Sequence, residues 1–167
     1  MALNFFKKKK QNTEFPVKAP FNGQIVPLEK VPDEVFAQKI LGDGVAIIPE
    51  DAATITVCAP IEGTVSLVAD TGHAVGMTTA EGVEFLLHYG LETVALNGDG
   101  FKPLVSAGKK IKIGDPILEV DSAAMKAKGI NQITMLVISD AKDYTYTLTT
   151  DGDAQTGETP IMQFTKA

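Results

Sequence analysis

The segment Ala19-Pro20-Phe21-Asn22-Gly23-Gln24-Ile25-Val26 returns further along the chain as Ala59-Pro60-Ile61-Glu62-Gly63-Thr64-Val65-Ser66. The common frame is Ala-Pro-x-x-Gly-x followed by a β-branched residue. Pro ends one strand because it removes a ladder donor, Gly permits a tight or left-handed turn, and Ile25 or Val65 restarts pairing. One hairpin built twice is therefore expected, and two copies are too few for a solenoid. Around both copies the chain breaks into short apolar runs at 15–18, 23–28, 45–49, 54–59, 64–68, 75–79, 83–88, 116–120, 133–139, 144–149 and 160–164, with Gly, Asp, Asn and Pro between them. Such spacing predicts an all-β antiparallel sandwich or barrel. Only two stretches have helical composition, both short: 33–41 after Pro32, and 122–128, where Asp121 or Ser122 would cap.

A chain of 167 residues that is 44% hydrophobic suits one domain, expected over 14–167. Before it, positions 1–13 read as a flexible tail with four lysines at 7–10. A peripheral membrane contact through Leu3, Phe5, Phe6 and those lysines is the weaker alternative, because so short a segment buries little apolar area. The single Cys58 has no partner for an internal disulfide and reads as a buried thiol in a reducing compartment. No apolar run reaches the length of a membrane span, and the lysines follow the first apolar residues, the wrong order for a signal peptide; a soluble cytoplasmic protein is expected. The net charge of −6 excludes a nucleic-acid binder, which needs a basic face.

The chemistry points to the only two histidines, in Asp70-Thr71-Gly72-His73-Ala74-Val75 and Val83-Glu84-Phe85-Leu86-Leu87-His88-Tyr89-Gly90. On a strand, alternation puts Val83, Phe85 and Leu87 toward a core and Glu84, Leu86 and His88 on the other face. His88 is then presented at a strand end, and Gly90 lets the backbone turn back close to the ring. His73 follows a turn, with the Thr71 hydroxyl placed to bond a ring nitrogen two residues on. There is no GxxxxGK[ST] phosphate loop, no close acidic pair and no HExxH. Paired imidazoles suit nucleophilic acceptance of a phosphoryl group, since a neutral histidine can attack through one nitrogen while the other is held by a hydrogen bond.

Two other classes share pieces of this pattern. The frame from Ala107 to Leu118 resembles the final hairpin of lipoyl and biotinyl carrier domains, and Ala124-Met125-Lys126-Ala127 resembles the biotinylation signature. In those carriers, however, the modified lysine precedes the Gly-Asp-x-Leu strand, whereas Lys126 follows it. Lysostaphin-like zinc endopeptidases need a His-x-His and an upstream His-x-x-x-Asp; here position 90 is Gly and position 77 is Met, so two ligands are missing.

The run from Val83 to Val94 with Gly98-Asp99-Gly100-Phe101 resembles the signature of the glucose-type IIA phosphocarriers of the bacterial phosphoenolpyruvate-dependent sugar phosphotransferase system. The likeness extends through Ala19-Pro20, Val31-Pro32-Asp33, Val35-Phe36-Ala37, Gly42-Asp43-Gly44, Ala59-Pro60, Thr71, His73-Ala74 and Gly157-Glu158-Thr159-Pro160, with a signature core over about 34–138. It implies an all-β fold built on a duplicated hybrid motif. It further implies that His88 carries the phosphoryl group, that His73 assists onward transfer, that Thr71 orients His73, and that the Gly90 carbonyl holds the near nitrogen of His88. The implied donor is the histidine phosphocarrier HPr, and the implied acceptor is a cysteine in the IIB domain of a glucose-type permease. Phe36, Ile40, Leu41 and Leu86 match an apolar collar, the alternative for Phe36 and Ile40 being core residues of a short helix, while Asp33 and Glu92 offer carboxylates to basic groups on HPr. Ala69 and Val75 stand where phenylalanine is expected in some members, which implies a thinner collar. No cofactor is required; His73 and His88 leave coordination positions open for a zinc ion shared with a partner carboxylate. Nothing in the sequence names the sugar or any regulatory target protein.

Overall fold

The computed structural model describes residues 11–167. Of the tail expected at 1–13, positions 1–10 lie outside the described residues. Gln11 Nε2 donates to the Ala80 carbonyl at 3.2 Å, the Asn12 N–H donates to Glu81 Oε2 at 3.0 Å, and the Tyr144 hydroxyl donates to the Asn12 carbonyl at 2.5 Å. The segment just before the first strand is thereby tied to the body.

The strands run, in chain order, β1 (Glu14–Lys18), β2 (Gly23–Pro27), β3 (Gly44–Pro49), β4 (Ile55–Cys58), β5 (Gly63–Val68), β6 (Ala74–Thr79), β7 (Glu84–Tyr89), β8 (Phe101–Pro103), β9 (Lys110–Ile111), β10 (Pro116–Val120), β11 (Thr134–Asp140), β12 (Tyr144–Leu148), β13 (Asp153–Ala154) and β14 (Pro160–Lys166). Every expected strand is present. The additional β8, β9 and β13 are two or three residues long, too short to show alternation. All pairings are antiparallel.

Eight strands form a sheet in the order β13-β2-β3-β11-β7-β6-β5-β9, and two smaller sheets run β1-β14-β12 and β4-β10-β8. Matching β1, β2, β3, β11, β12, β13 and β14 with β4, β5, β6, β7, β8, β9 and β10 reproduces every neighbour. The fold is thus two copies of one unit, the second inserted whole between β3 and β11 of the first. The repeated Ala-Pro frames lie where the copies meet: the Lys18 N–H donates to the Pro60 carbonyl (2.9 Å) and the Cys58 N–H to the Pro20 carbonyl (2.8 Å). Ala19 and Ala59 each bond a matching downstream turn, through Thr159 and Gly157 in one copy and Asp115 and Gly114 in the other.

The role expected of the repeated glycine is corrected by the geometry. Neither Gly23 nor Gly63 has a positive φ. A Cβ on Gly23 would fall 2.1 Å from the Ile48 carbonyl oxygen, and one on Gly63 2.1 Å from that of Thr78. Glycine is required here because the neighbouring strand's backbone passes too close for any side chain.

The helix expected over 33–41 is also shorter. Only α1 (Glu34–Ala37) is helical, capped by Asp33, whose carboxylate accepts from the Val35 N–H at 2.9 Å. Lys39 then turns left-handed (φ 60°) and ends the helix. The second helix, α2 (Ser122–Ala127), is capped by Asp121, which accepts from the Ala124 N–H. A main core joins the inner faces of all three sheets, including Phe15, Ile25, Val65, Val75, Phe85, Leu87, Ile117 and Phe164. A second cluster lies on the outer face of the large sheet, where Leu28, Val31 and Phe36 of the β2–β3 connection cover Ala46, Met135 and Val137.

Candidate functional site

Alternation on β7 is as read from the sequence. Phe85, Leu87 and Tyr89 are buried, while Glu84, Leu86 and His88 line the opposite face and are half-buried. His88 pairs with Ala74 of β6, one residue after His73, and the Tyr89 N–H donates to the His73 carbonyl at 2.8 Å. Register brings the His73 backbone beside the end of β7, and the turn that precedes β6 carries its imidazole to His88, with ring centroids 4.8 Å apart at 76°.

Each ring is held from one side by its own local backbone. His88 Nδ1 lies 3.0 Å from the Gly90 carbonyl. A carbonyl only accepts, so Nδ1 carries the proton and the lone pair of neutral His88 is on Nε2. His73 Nδ1 lies 2.5 Å from Thr71 Oγ1, and the residue is buried. If the hydroxyl donates there, His73 Nε2 is left as an N–H donor.

Burial lowers the pKa of both imidazoles below the ordinary histidine value; His88 is lowered further by the neighbouring His73, against smaller opposing effects of the Gly90 carbonyl and the Asp33 carboxylate. A dry, half-covered pair of rings next to one another disfavours the charged form. Near neutral pH both are unprotonated bases.

Gly90 is left-handed (φ 73°), and a Cβ there would meet Thr93 Cγ2 at 2.7 Å. This is one position where the turn itself demands glycine. The loop that follows forms a 3-10 turn at Thr93–Leu96, preceded by a left-handed Glu92.

The residues expected at a partner surface divide. Ile40 (65% exposed) and Leu41 (44%) stand open on the loop after α1, and Glu92 is exposed. Leu86 is half-buried beside His88. Asp33 is partly buried and acts on the charge of His88 from the cap of α1. Phe36 departs from a free collar residue: it is only 6% exposed, belongs to the second apolar cluster, and turns its ring to His88 at 5.1 Å between centroids. It serves as the wall between core and site. Val75 is fully buried and pairs with Leu87, so its size does not bear on the collar.

Two apolar groups went unread in the sequence. Strict alternation would turn Leu67 inward with Val65, but a bulge between them rotates Leu67 out to 53% exposure, opposite Gly76 and in line with Leu86. Val94 is 55% exposed on the 3-10 turn after Gly90. Only the tertiary pairing reveals either. Among the described residues no group of three or more His, Cys, Asp or Glu gathers to hold a metal. A zinc ion on the paired imidazoles would need its remaining ligands from elsewhere.

The arrangement is a neutral ring nitrogen beside a second imidazole, with Phe36, Leu86 and the Asp33 carboxylate close by. A family model described as phosphoenolpyruvate-dependent sugar phosphotransferase system, EIIA 1, matches residues 15–144. Among solved structures, glucose permease IIA from Mycoplasma capricolum is similar at 33% identity, covering 90% of this chain and 96% of that one, with a TM-score of 0.80.

Proposed function

This chain belongs to the EIIA 1 family of the phosphoenolpyruvate-dependent sugar phosphotransferase system, and from that premise we propose that His88 Nε2 accepts the phosphoryl group from phospho-HPr and passes it to a IIB cysteine. As a member, the chain is a phosphotransferase component with a phosphocarrier role in sugar uptake. The observation that carries the finer reading is the bond from His88 Nδ1 to the Gly90 carbonyl, which leaves Nε2 as the free base.

In the proposed step, the Nε2 lone pair attacks phosphorus in line as the P–N bond to the donor histidine breaks, and the donor imidazole leaves with the electron pair. No proton leaves His88. The ring becomes a cation that keeps its Nδ1–H, and both the Gly90 carbonyl and Asp33 favour that charge. His73 Nε2–H donates to a phosphoryl oxygen, a contact that strengthens as charge spreads over those oxygens. In the second half the thiolate sulfur of the acceptor attacks phosphorus, the Nε2–P bond breaks, and neutral His88 returns.

Ile40, Leu41, Leu86, Leu67 and Val94 form the docking rim, with Asp33 and Glu92 facing basic groups. Apolar contact around a polar centre suits a transient interface that must release two partners in turn. A shared zinc would use the same two imidazoles together with a partner carboxylate, and zinc-enhanced partner affinity by calorimetry, abolished in His73→Gln, is its expected sign.

The decisive experiment is labelling from phosphoenolpyruvate through enzyme I and HPr. Wild-type protein takes up an acid-labile label, His88→Gln takes up none, and His73→Gln accepts it but hands it to IIB slowly. Label that survives His88→Gln refutes the proposal.

A further inference from the structure

We infer that Thr93 is a positioning residue that sets the state of His88 by fixing the Gly90 peptide from the side away from the ring; the inference rests on the phosphohistidine reading for its kinetic consequence only. Thr93 touches neither imidazole in any recorded bond. It is completely buried, an unusual place for a hydroxyl unless a partner is present, and its Oγ1 donates to the Tyr89 carbonyl at 2.6 Å.

A residue's φ and ψ are set by the planes of the two peptides that flank it. For Gly90, the preceding peptide is that of the Tyr89 carbonyl, held by Thr93 Oγ1. The following peptide is held by the Leu91 N–H, which donates to the Asn131 carbonyl at 2.9 Å. Within that second peptide, N–H and C=O point in opposite directions, so anchoring Leu91 N–H on Asn131 aims the Gly90 oxygen back at His88 Nδ1. The Thr93 methyl closes the arrangement, lying 2.7 Å from where a Gly90 Cβ would be.

Glycine tolerates left-handed and right-handed backbone about equally, so nothing intrinsic to Gly90 holds its positive φ. Without the Thr93 bond, the Tyr89–Gly90 peptide is free to turn, and since both peptides pivot on Gly90, the Gly90–Leu91 peptide is then fixed at one end only, by Asn131. The carbonyl facing His88 then loses its direction, Nδ1 loses its fixed acceptor, and the neutral ring populates the tautomer with the proton on Nε2, which has no lone pair there to attack phosphorus. Tyr89 itself stays in place, because its ring is buried and its hydroxyl donates to Gln132 Oε1 at 2.8 Å. The mobile part is thus confined to the two peptides that flank Gly90.

The test is nitrogen NMR of the His88 side chain in unphosphorylated full-length protein, read beside the rate of label uptake from phospho-HPr. In wild type the His88 shifts report a proton on Nδ1. Thr93→Val keeps the methyl and deletes the hydroxyl; it is expected to raise the Nε2–H tautomer several-fold and slow uptake about tenfold, while Thr93→Ser restores both. Thr93→Ala is the second variant, since it presses no methyl on the unbonded carbonyl, and the same shift is expected. Wild-type tautomer and rate in whichever variant folds, with stability alone reduced, overturn the proposal. The tautomer readout does not depend on phosphoryl transfer, so failure of the phosphohistidine reading would appear separately, as label retained in His88→Gln.

Discussion

The two copies of the repeated unit put different groups at the same place on the same sheet. Strand register equates 43–49 with 73–79 and sets Leu136 against Leu87 at the centre, so that Val137 in the first copy occupies the position of His88 in the second, and Asp43 that of His73. In the first copy the connection from β2 to β3 is long and folds Leu28, Val31 and Phe36 down over Ala46, Met135 and Val137. In the second the connection from β5 to β6 is short, and Leu86 and His88 are left half-covered and Leu67 exposed. The site is therefore an unfilled copy of a core. A face shaped to be covered, left open and given two imidazoles, is partly dry without being closed, which explains how the rings can be neutral and still reachable.

The comparison breaks most severely at the paired positions themselves. His88→Val makes the second copy resemble the first and is expected to abolish phosphoryl uptake while stability in urea changes by less than about 1 kcal/mol. In the first copy, Val137→Asp buries a carboxyl under the β2–β3 connection and should destabilise by about 4 kcal/mol, with the loss largest at high pH where the carboxyl must ionise. An uptake-competent His88→Val or a fully stable Val137→Asp would mean that the copies are not the functional opposites described here.

A second pair tests likeness rather than difference. Gly23→Ala and Gly63→Ala each drive a methyl onto a strand carbonyl at the same distance, and each should cost about 2–3 kcal/mol by overpacking. Unequal thermal shifts would show that one copy yields where the other does not. The smallest effect concerns the rings. His73 lowers the pKa of His88, so His73→Gln is expected to move the His88 midpoint in a proton NMR titration upward, toward the ordinary histidine value. For stability the sign is fixed by the same direction: a histidine whose folded pKa is lowered contributes stability that is present above the unfolded value and is lost as pH falls through it. His88→Gln should accordingly flatten part of the decline in stability on the acid side of neutrality.

Much of this was legible in the residues. Alternation placed His88 on the face opposite Phe85 and Leu87, the bond from Thr71 to His73 spans two positions, a range over which local backbone geometry decides contact, and Gly90 announced a turn close to the ring, its carbonyl bond to His88 being what the family resemblance implied. The repeated Ala-Pro frame announced a duplication. The reason for its glycine was hidden, because the Ile48 and Thr78 carbonyls that exclude a side chain arrive from other strands. Leu67 was hidden by a bulge that breaks the period of two, whereas the core alternative for Phe36 was open in the sequence and its packing on the second cluster decides for it.

What the sequence determined alone was a set of short strands, a presented histidine and the local bond from Thr71 to His73, all consequences of pleat and turn chemistry within a few residues. The tertiary structure alone decided that the strands form two interleaved copies, that His73 meets His88, and that Asn131, distant in the chain, anchors the peptide beside His88. Those outcomes depend on strand register, which is settled by burying one face of the whole sheet at once and so cannot be read from any single segment.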